Sequence, residues 1–168
     1  MVRHKIVRAL LVEKGIKGNE LEVQSKAYVD EYNNKVQSGI QSLGLLEDVM
    51  ETLEKLSKKY LLFINTATPK DSIDETVNNL GISRYFKEIY GATTKSKTEN
   101  LSSIVQKKNL IPSEVVVIGD GENDVEAAKE NETHFIGFAN DWNKWEKQKF
   151  QTVKSFNEIE GVLKKYES

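Results

Sequence analysis

The string Val115-Val116-Val117-Ile118-Gly119-Asp120-Gly121-Glu122-Asn123-Asp124 places one carboxylate directly after an apolar run and a second four residues on. The glycines let the backbone turn sharply and approach a ligand closely. Hard oxygen donors presented this way suit Mg²⁺, which takes one or two carboxylates and completes its octahedron with phosphate and water. The plain alternative is a strand-turn-helix in which Asp and Asn only cap the helix, but the whole string favours metal binding. A calcium EF-hand does not fit. Counted from Asp120, the sixth position is Val125 rather than Gly, and the twelfth is Asn131 rather than Glu.

Two other segments carry groups suited to a phosphate. Thr66 ends the run Leu61-Leu62-Phe63-Ile64-Asn65. Its hydroxyl and the following backbone amides, from Ala67 on, could hold a phosphate oxygen near a helix N-terminus, although a loop threonine is more often a turn or cap residue. Lys95 and Lys97 lie in Gly91-Ala-Thr-Thr-Lys-Ser-Lys-Thr-Glu-Asn-Leu101. An ammonium there could neutralise a phosphate and a nearby carboxylate together. For either lysine alone, a solvated loop position is the ordinary expectation.

The elements that must position these groups change character along the chain. Up to about residue 58 the pattern is helical. Val2, Ile6, Val7, Leu10 and Leu11 recur at helical spacing until Gly15 and Gly18, and Leu21 to Val36 continue a long, mostly polar helix. Gly39 and Gly44 loosen the chain, and Val49, Leu53 and Leu56 give a third helix. From Tyr60 onward, strand-length apolar runs alternate with helices. The expected strands are Tyr60–Ile64, Phe86–Tyr90, Val115–Ile118 and His134–Phe138, with another starting near Val153. Helices are expected around Ile73 and Val77, over residues 98–108, from about Asn123, and at the C-terminus around Ile159, Val162 and Leu163. Strands apolar on both faces, alternating with helices, imply an α/β fold: a Rossmann-like parallel sheet covered by helices on both sides. Ligands then bind at the carboxyl ends of the strands, where Thr66, Asp120 and Asp124 stand, with Lys95 and Lys97 after the Phe86 strand.

Composition narrows the class. With 24 Lys and Arg against 26 Asp and Glu in 168 residues, nothing favours nucleic acid. There is no cysteine, which rules out disulfides, thiolate metal sites and cysteine nucleophiles. No apolar run is long enough for a membrane span, and the basic N-terminus lacks the apolar core of a signal peptide. A cytoplasmic globular protein is the expectation.

In order and spacing, the Thr66, Lys97 and Asp120 segments resemble the second, third and fourth motifs of the haloacid-dehalogenase-like (HAD) superfamily. The stretch Leu80-Gly-Ile-Ser-Arg-Tyr-Phe-Lys-Glu-Ile-Tyr-Gly91 resembles the family's segment between the second and third motifs, and Gly44-Leu45-Leu46-Glu47 its entry from cap to core. Residues 1–43 resemble the small helical cap of phosphoglycolate-phosphatase-like members, leaving 44–168 as the core. The resemblance implies a Mg²⁺-dependent phosphatase acting on a small phosphorylated metabolite through an aspartyl-phosphate. It implies Thr66 and Ala67 as the phosphate site and Lys97, followed by Thr-Glu-Asn-Leu, as the catalytic lysine. Asp120 and Asp124 would serve the metal.

The family's first motif, a strand ending in Asp-x-Asp that supplies nucleophile and acid/base, has no counterpart. The aspartates are Asp30, Asp48, Asp71, Asp74, Asp120, Asp124 and Asp141, and no two are one residue apart. The chain starts about where that family's chain leaves the core for the cap. A late start codon, a truncation, a split gene and loss of the motif are the open explanations; a fragment of a longer phosphatase, inactive alone, is the expectation. The alternatives are a non-catalytic HAD-like binding or regulatory protein and, less well matched, a receiver-like signalling domain. Because the family's first strand is central, two buried runs would lose a neighbour. Either they close on each other or a partner chain donates a strand.

Overall fold

The computed structural model describes residues 3–143, 145 and 148–167. Val2, from which the first helical spacing was counted, and the side chain of Arg3 lie outside the described residues. The chain divides into two compact units, Met1–Gly44 and Leu45–Ser168.

The first unit is a helical hairpin of α1 (Arg3–Glu13) and α2 (Gly18–Leu43). Gly15 makes the turn at a φ of +84°, where an L side chain would be strained. Leu11 and Leu21 are buried between the helices, and Arg8 pairs with Glu22 across them. Gly39, expected to loosen the chain, instead lies inside α2. A single glycine weakens a helix by roughly 0.5–1 kcal/mol without breaking it. The helix ends at Gly44, whose φ of +69° an ordinary residue would resist.

The second unit begins with α3 (Val49–Ser57) and then alternates strand and helix: β1 (Leu62–Pro69), α4 (Lys70–Asn79), β2 (Phe86–Ala92), α5 (Lys97–Lys107), β3 (Val116–Gly119), α6 (Glu122–Glu130), β4 (His134–Phe138), β5 (Gln151–Val153) and α7 (Ile159–Leu163). Every strand pairing is parallel, as continuous apolar runs flanked by helices require. Side chains along β4 alternate between two clusters. Ile136 joins Leu56, Val153, Ile159 and Leu163 on the face covered by α3 and α7. Phe135 packs edge-on against Trp145 and Phe150 on the opposite face, beside Ala128 of α6. Gly137 must be glycine, because a Cβ there would lie 2.4 Å from the Trp145 ring.

Among the described residues the strands do not form one sheet: β1 pairs with β2 alone, and β3, β4 and β5 form a separate ladder. Between β1 and β3 lies a cavity of about 560 Å³, lined by residues of both strands. The expectation that Leu61–Ile64 and Val115–Ile118 are buried is therefore corrected. Leu61 is 54% exposed and Ile118 is 38% exposed, and the rest of both runs is half-buried. Among the described residues neither strand has a paired neighbour on the cavity side, so water reaches side chains whose apolar runs suit a closed interior.

Candidate active site

The site is built where β3 passes into α6. Asp120 is exposed directly beyond the last residue of β3, and Asp124, the third residue of α6, is only 7% exposed. The Asp124 carboxylate folds back over the turn, where its Oδ2 accepts the Gly121 N–H at 3.2 Å. This fold-back dictates Gly119, since a Cβ there would lie 2.4 Å from Cγ of Asp124.

Oδ1 of Asp124 accepts from the Lys97 ammonium at 2.7 Å, with the two side chains 10% and 21% exposed. Lys97 is held by the start of α5. Ser96 Oγ accepts the Glu99 N–H at 3.2 Å, while the Glu99 carboxylate accepts the Ser96 N–H at 2.7 Å. This reciprocal cap makes Lys97 the first helical residue. The spacing Ser96-x-x-Glu99 was legible in the sequence and would have separated the two lysines. Lys95 lies before the cap, and its ammonium donates to Ser103 Oγ at 3.0 Å instead.

A second polar link joins α5 to β1. Asn65 Nδ2 donates to the Lys97 carbonyl at 2.8 Å, and the buried Asn100 donates to Asn65 Oδ1 at 3.3 Å. Asn65, Lys97 and Asp124 thereby link the middle of β1, through the start of α5, to the turn that follows β3. Asn143 contributes from the loop after β4. Its Nδ2 donates to the carbonyls of Phe138 at 2.9 Å and Asp120 at 3.2 Å. Asn140 braces that loop, accepting the N–H groups of Trp142 and Asn143 at 2.8 and 3.0 Å, and its own Nδ2 lies 3.5 Å from Asp120 Oδ2. Sequence reading missed these asparagines, because each acts on a residue 20 or more positions away and no local spacing marks it.

Thr66 is the fifth of the eight residues of β1, half-buried, with its Oγ1 accepting the Thr68 N–H at 3.2 Å across exposed Ala67. That bond lies inside the strand, where the pairing with β2 shifts register between Asn65 and Pro69. Beyond it, Gly91 of β2 packs so close to the start of α4 that a Cβ would lie 2.4 Å from the Lys70 Cα. The structure thus joins Lys97 to Asp124 and sets Asp120 on the same loop, whereas among the described residues Thr66 hydrogen-bonds to Thr68 and to none of the three.

Asp120 and Asp124 supply hard oxygen donors, a set that fits Mg²⁺ when substrate and water complete the shell. Among the described residues no three His, Cys, Asp or Glu side chains converge as a ready-made metal cage. No described helix is long and apolar enough to cross a membrane.

Comparison with known proteins identifies the family. The family model for haloacid dehalogenase-like hydrolases matches residues 5–138. A phosphoglycolate phosphatase of Pasteurella multocida (strain Pm70) is 31% identical over 130 residues, covering 73% of this chain and 58% of that protein. One from Aliivibrio fischeri (strain ATCC 700601 / ES114) is 27% identical over 129 residues, covering 74% and 56%. The chain therefore spans little more than half the length of these relatives. In fold it is similar to a haloacid dehalogenase-like family hydrolase from Streptococcus pneumoniae, with a TM-score of 0.74 at 21% identity, covering 94% of this chain and 76% of that one. The chain belongs to the haloacid dehalogenase-like hydrolases.

Proposed function

We propose that this chain carries most of the active site of a Mg²⁺-dependent phosphomonoesterase acting on a small phosphorylated metabolite, and that it is inactive alone for want of a nucleophile. The observation that carries this reading is the Lys97–Asp124 pair beside Asp120, at the end of a parallel strand. Phosphoglycolate is the first substrate to try, because the matched relatives bear its name.

Asp120 and Asp124 would hold the Mg²⁺, which when bound supplies charge to polarise the phosphoryl group. Lys97 sits where a phosphoryl oxygen beside that loop would meet an ammonium, and its tie to Asp124 fixes the charge in place before substrate arrives. Thr66 Oγ1 and the backbone from Ala67 would bind another phosphoryl oxygen. Asn143 would keep Asp120 in register through its carbonyl. Covalent transfer through an aspartyl-phosphate needs a further carboxylate. Asp120 and Asp124 cannot supply it without leaving the metal, and no Asp-x-Asp pair occurs in the sequence.

The direct test is phosphate release from phosphoglycolate and para-nitrophenyl phosphate by the purified chain, with and without Mg²⁺. We expect none above background. Turnover that is lost in Asp120→Ala would show that one of this chain's own groups serves as nucleophile. The second reading, a binding or regulatory protein that keeps the fold, is favoured by the same lack of a nucleophile. It prevails if supplying an Asp-x-Asp strand restores no chemistry.

A further inference from the structure

The turn after β4 is built on two asparagines that answer each other. Asn140 Oδ1 accepts the N–H groups of Trp142 and Asn143 at 2.8 and 3.0 Å, and Asn143 Oδ1 accepts the Asn140 N–H at 3.0 Å. Side-chain oxygens of asparagine commonly close turns in this way. Here each oxygen is committed to the backbone, so neither amide can flip, and each NH₂ group must face the other way. The frame is anchored where the Ala139 N–H donates to the Val153 carbonyl of β5 at 2.8 Å.

Both NH₂ groups face Asp120. Asn143 Nδ2 donates to its carbonyl at 3.2 Å and to that of Phe138 at 2.9 Å, which uses both hydrogens. Asn140 Nδ2 lies 3.5 Å from its Oδ2, the outer edge of a hydrogen bond. An aspartate at either position could close the same turn, but it would set oxygen against oxygen. The turn alone asks only for acceptors, and it is Asp120 that accounts for the amides. With Oδ2 facing Asn140, Oδ1 is the carboxylate atom left for a metal. Mg²⁺ demands a near-ideal octahedron and suits a carboxylate that offers one oxygen, whereas the larger Ca²⁺ readily takes both.

We infer that Asn140 and Asn143 are positioning residues of the metal site, and that Asn140 restricts Asp120 to binding through one oxygen and so favours Mg²⁺ over Ca²⁺. This role rests on the metal function of Asp120 in the proposed phosphatase. Asn143 sets the peptide plane from which Asp120 projects, and Asn140 sets the rotation of its carboxylate. Outer partners of this kind commonly govern metal affinity by about 10–100-fold. By linkage, a metal that binds more tightly because of the contact must in turn strengthen the contact.

Calorimetric titration of the full chain with Mg²⁺ and with Ca²⁺, before and after Asn140→Ser, tests this without any measurement of activity. A serine hydroxyl still closes the turn as an uncharged acceptor, but it falls short of Asp120. We expect Mg²⁺ affinity to drop about tenfold with little change for Ca²⁺. The assignment stands if the ratio of Mg²⁺ to Ca²⁺ affinity falls by about threefold or more, and is overturned if it falls by less. A turn that merely collapses would weaken both ions alike and leave the ratio unchanged. Side-chain amide signals in ¹⁵N NMR of the unmodified chain give a second measure that needs no variant. Added Mg²⁺ should shift the Asn140 and Asn143 NH₂ signals in step with the backbone amide of Asp120. If Asp120 and Asp124 respond and either asparagine does not, the metal site stands and the clamp is overturned. If neither aspartate responds, Mg²⁺ does not bind there, and the metal reading of the site fails together with the clamp.

Discussion

At the scale of residues, the two lysines separate by their neighbours rather than by their chemistry. Lys97 reaches Asp124 and Lys95 reaches Ser103. In a chain completed by an Asp-x-Asp strand, Lys97→Ala should lower kcat/KM by about 10²–10³-fold, the usual cost of deleting a preorganised charge. Lys95→Ala, at a solvent-exposed pair, should change it by about twofold or less. Equal losses would remove Lys97 from the site. Gly119 is the other residue with a sharp consequence. Ala there must push the Asp124 side chain away from Gly121 and Lys97. Gly119→Ala should cost about 1–3 kcal/mol of stability, as overpacking does, read as a lower urea midpoint at unchanged slope. A midpoint equal to that of the parent chain would show that the turn relaxes freely.

At the scale of elements, local pattern carried far. His134–Phe138 was read residue for residue, because an unbroken apolar run between turn residues has few other fates. The helices from Val49 and over 98–108 emerge within a residue or so of expectation. The miss at Gly39 has a plain cause: a glycine is a modest penalty, and α2 has 26 residues over which to absorb it. The asparagine links were out of reach, because a bond from Asn65 to the Lys97 carbonyl exists only after β1 and α5 have packed. Both kinds of feature can be tested on α5. Ser96→Ala removes the cap and should cost about 1 kcal/mol. Asn65→Ala strands the Lys97 carbonyl and the Asn100 amide and should cost about 1–2 kcal/mol. Chemical denaturation measures both, and a neutral Asn65→Ala would show that α5 is held by its apolar face alone.

At the scale of the whole molecule, the runs in β1 and β3 have the composition of buried strands, the family resemblance implies that each would lose a neighbour, and in the structure they border a cavity. Sequence shows what a strand is made for, and only coordinates show whether its neighbour is present. Leu61 and Ile118 are the visible result. Exposed parallel edges with apolar side chains invite pairing with other chains, and a domain holds only about 5–15 kcal/mol in reserve. The chain alone should therefore be marginally stable or self-associate, seen as light scattering that rises with concentration at neutral pH. A cooperative, concentration-independent monomer with the cavity still open would contradict that expectation. The most direct test of the phosphatase reading is phosphoglycolate hydrolysis by the chain fused at its N-terminus to an apolar strand ending in Asp-x-Asp. Release of phosphate that requires Mg²⁺ and is nearly abolished by Asp120→Ala is the predicted result; a folded fusion that binds Mg²⁺ yet releases no phosphate, from this substrate or from para-nitrophenyl phosphate, would contradict it.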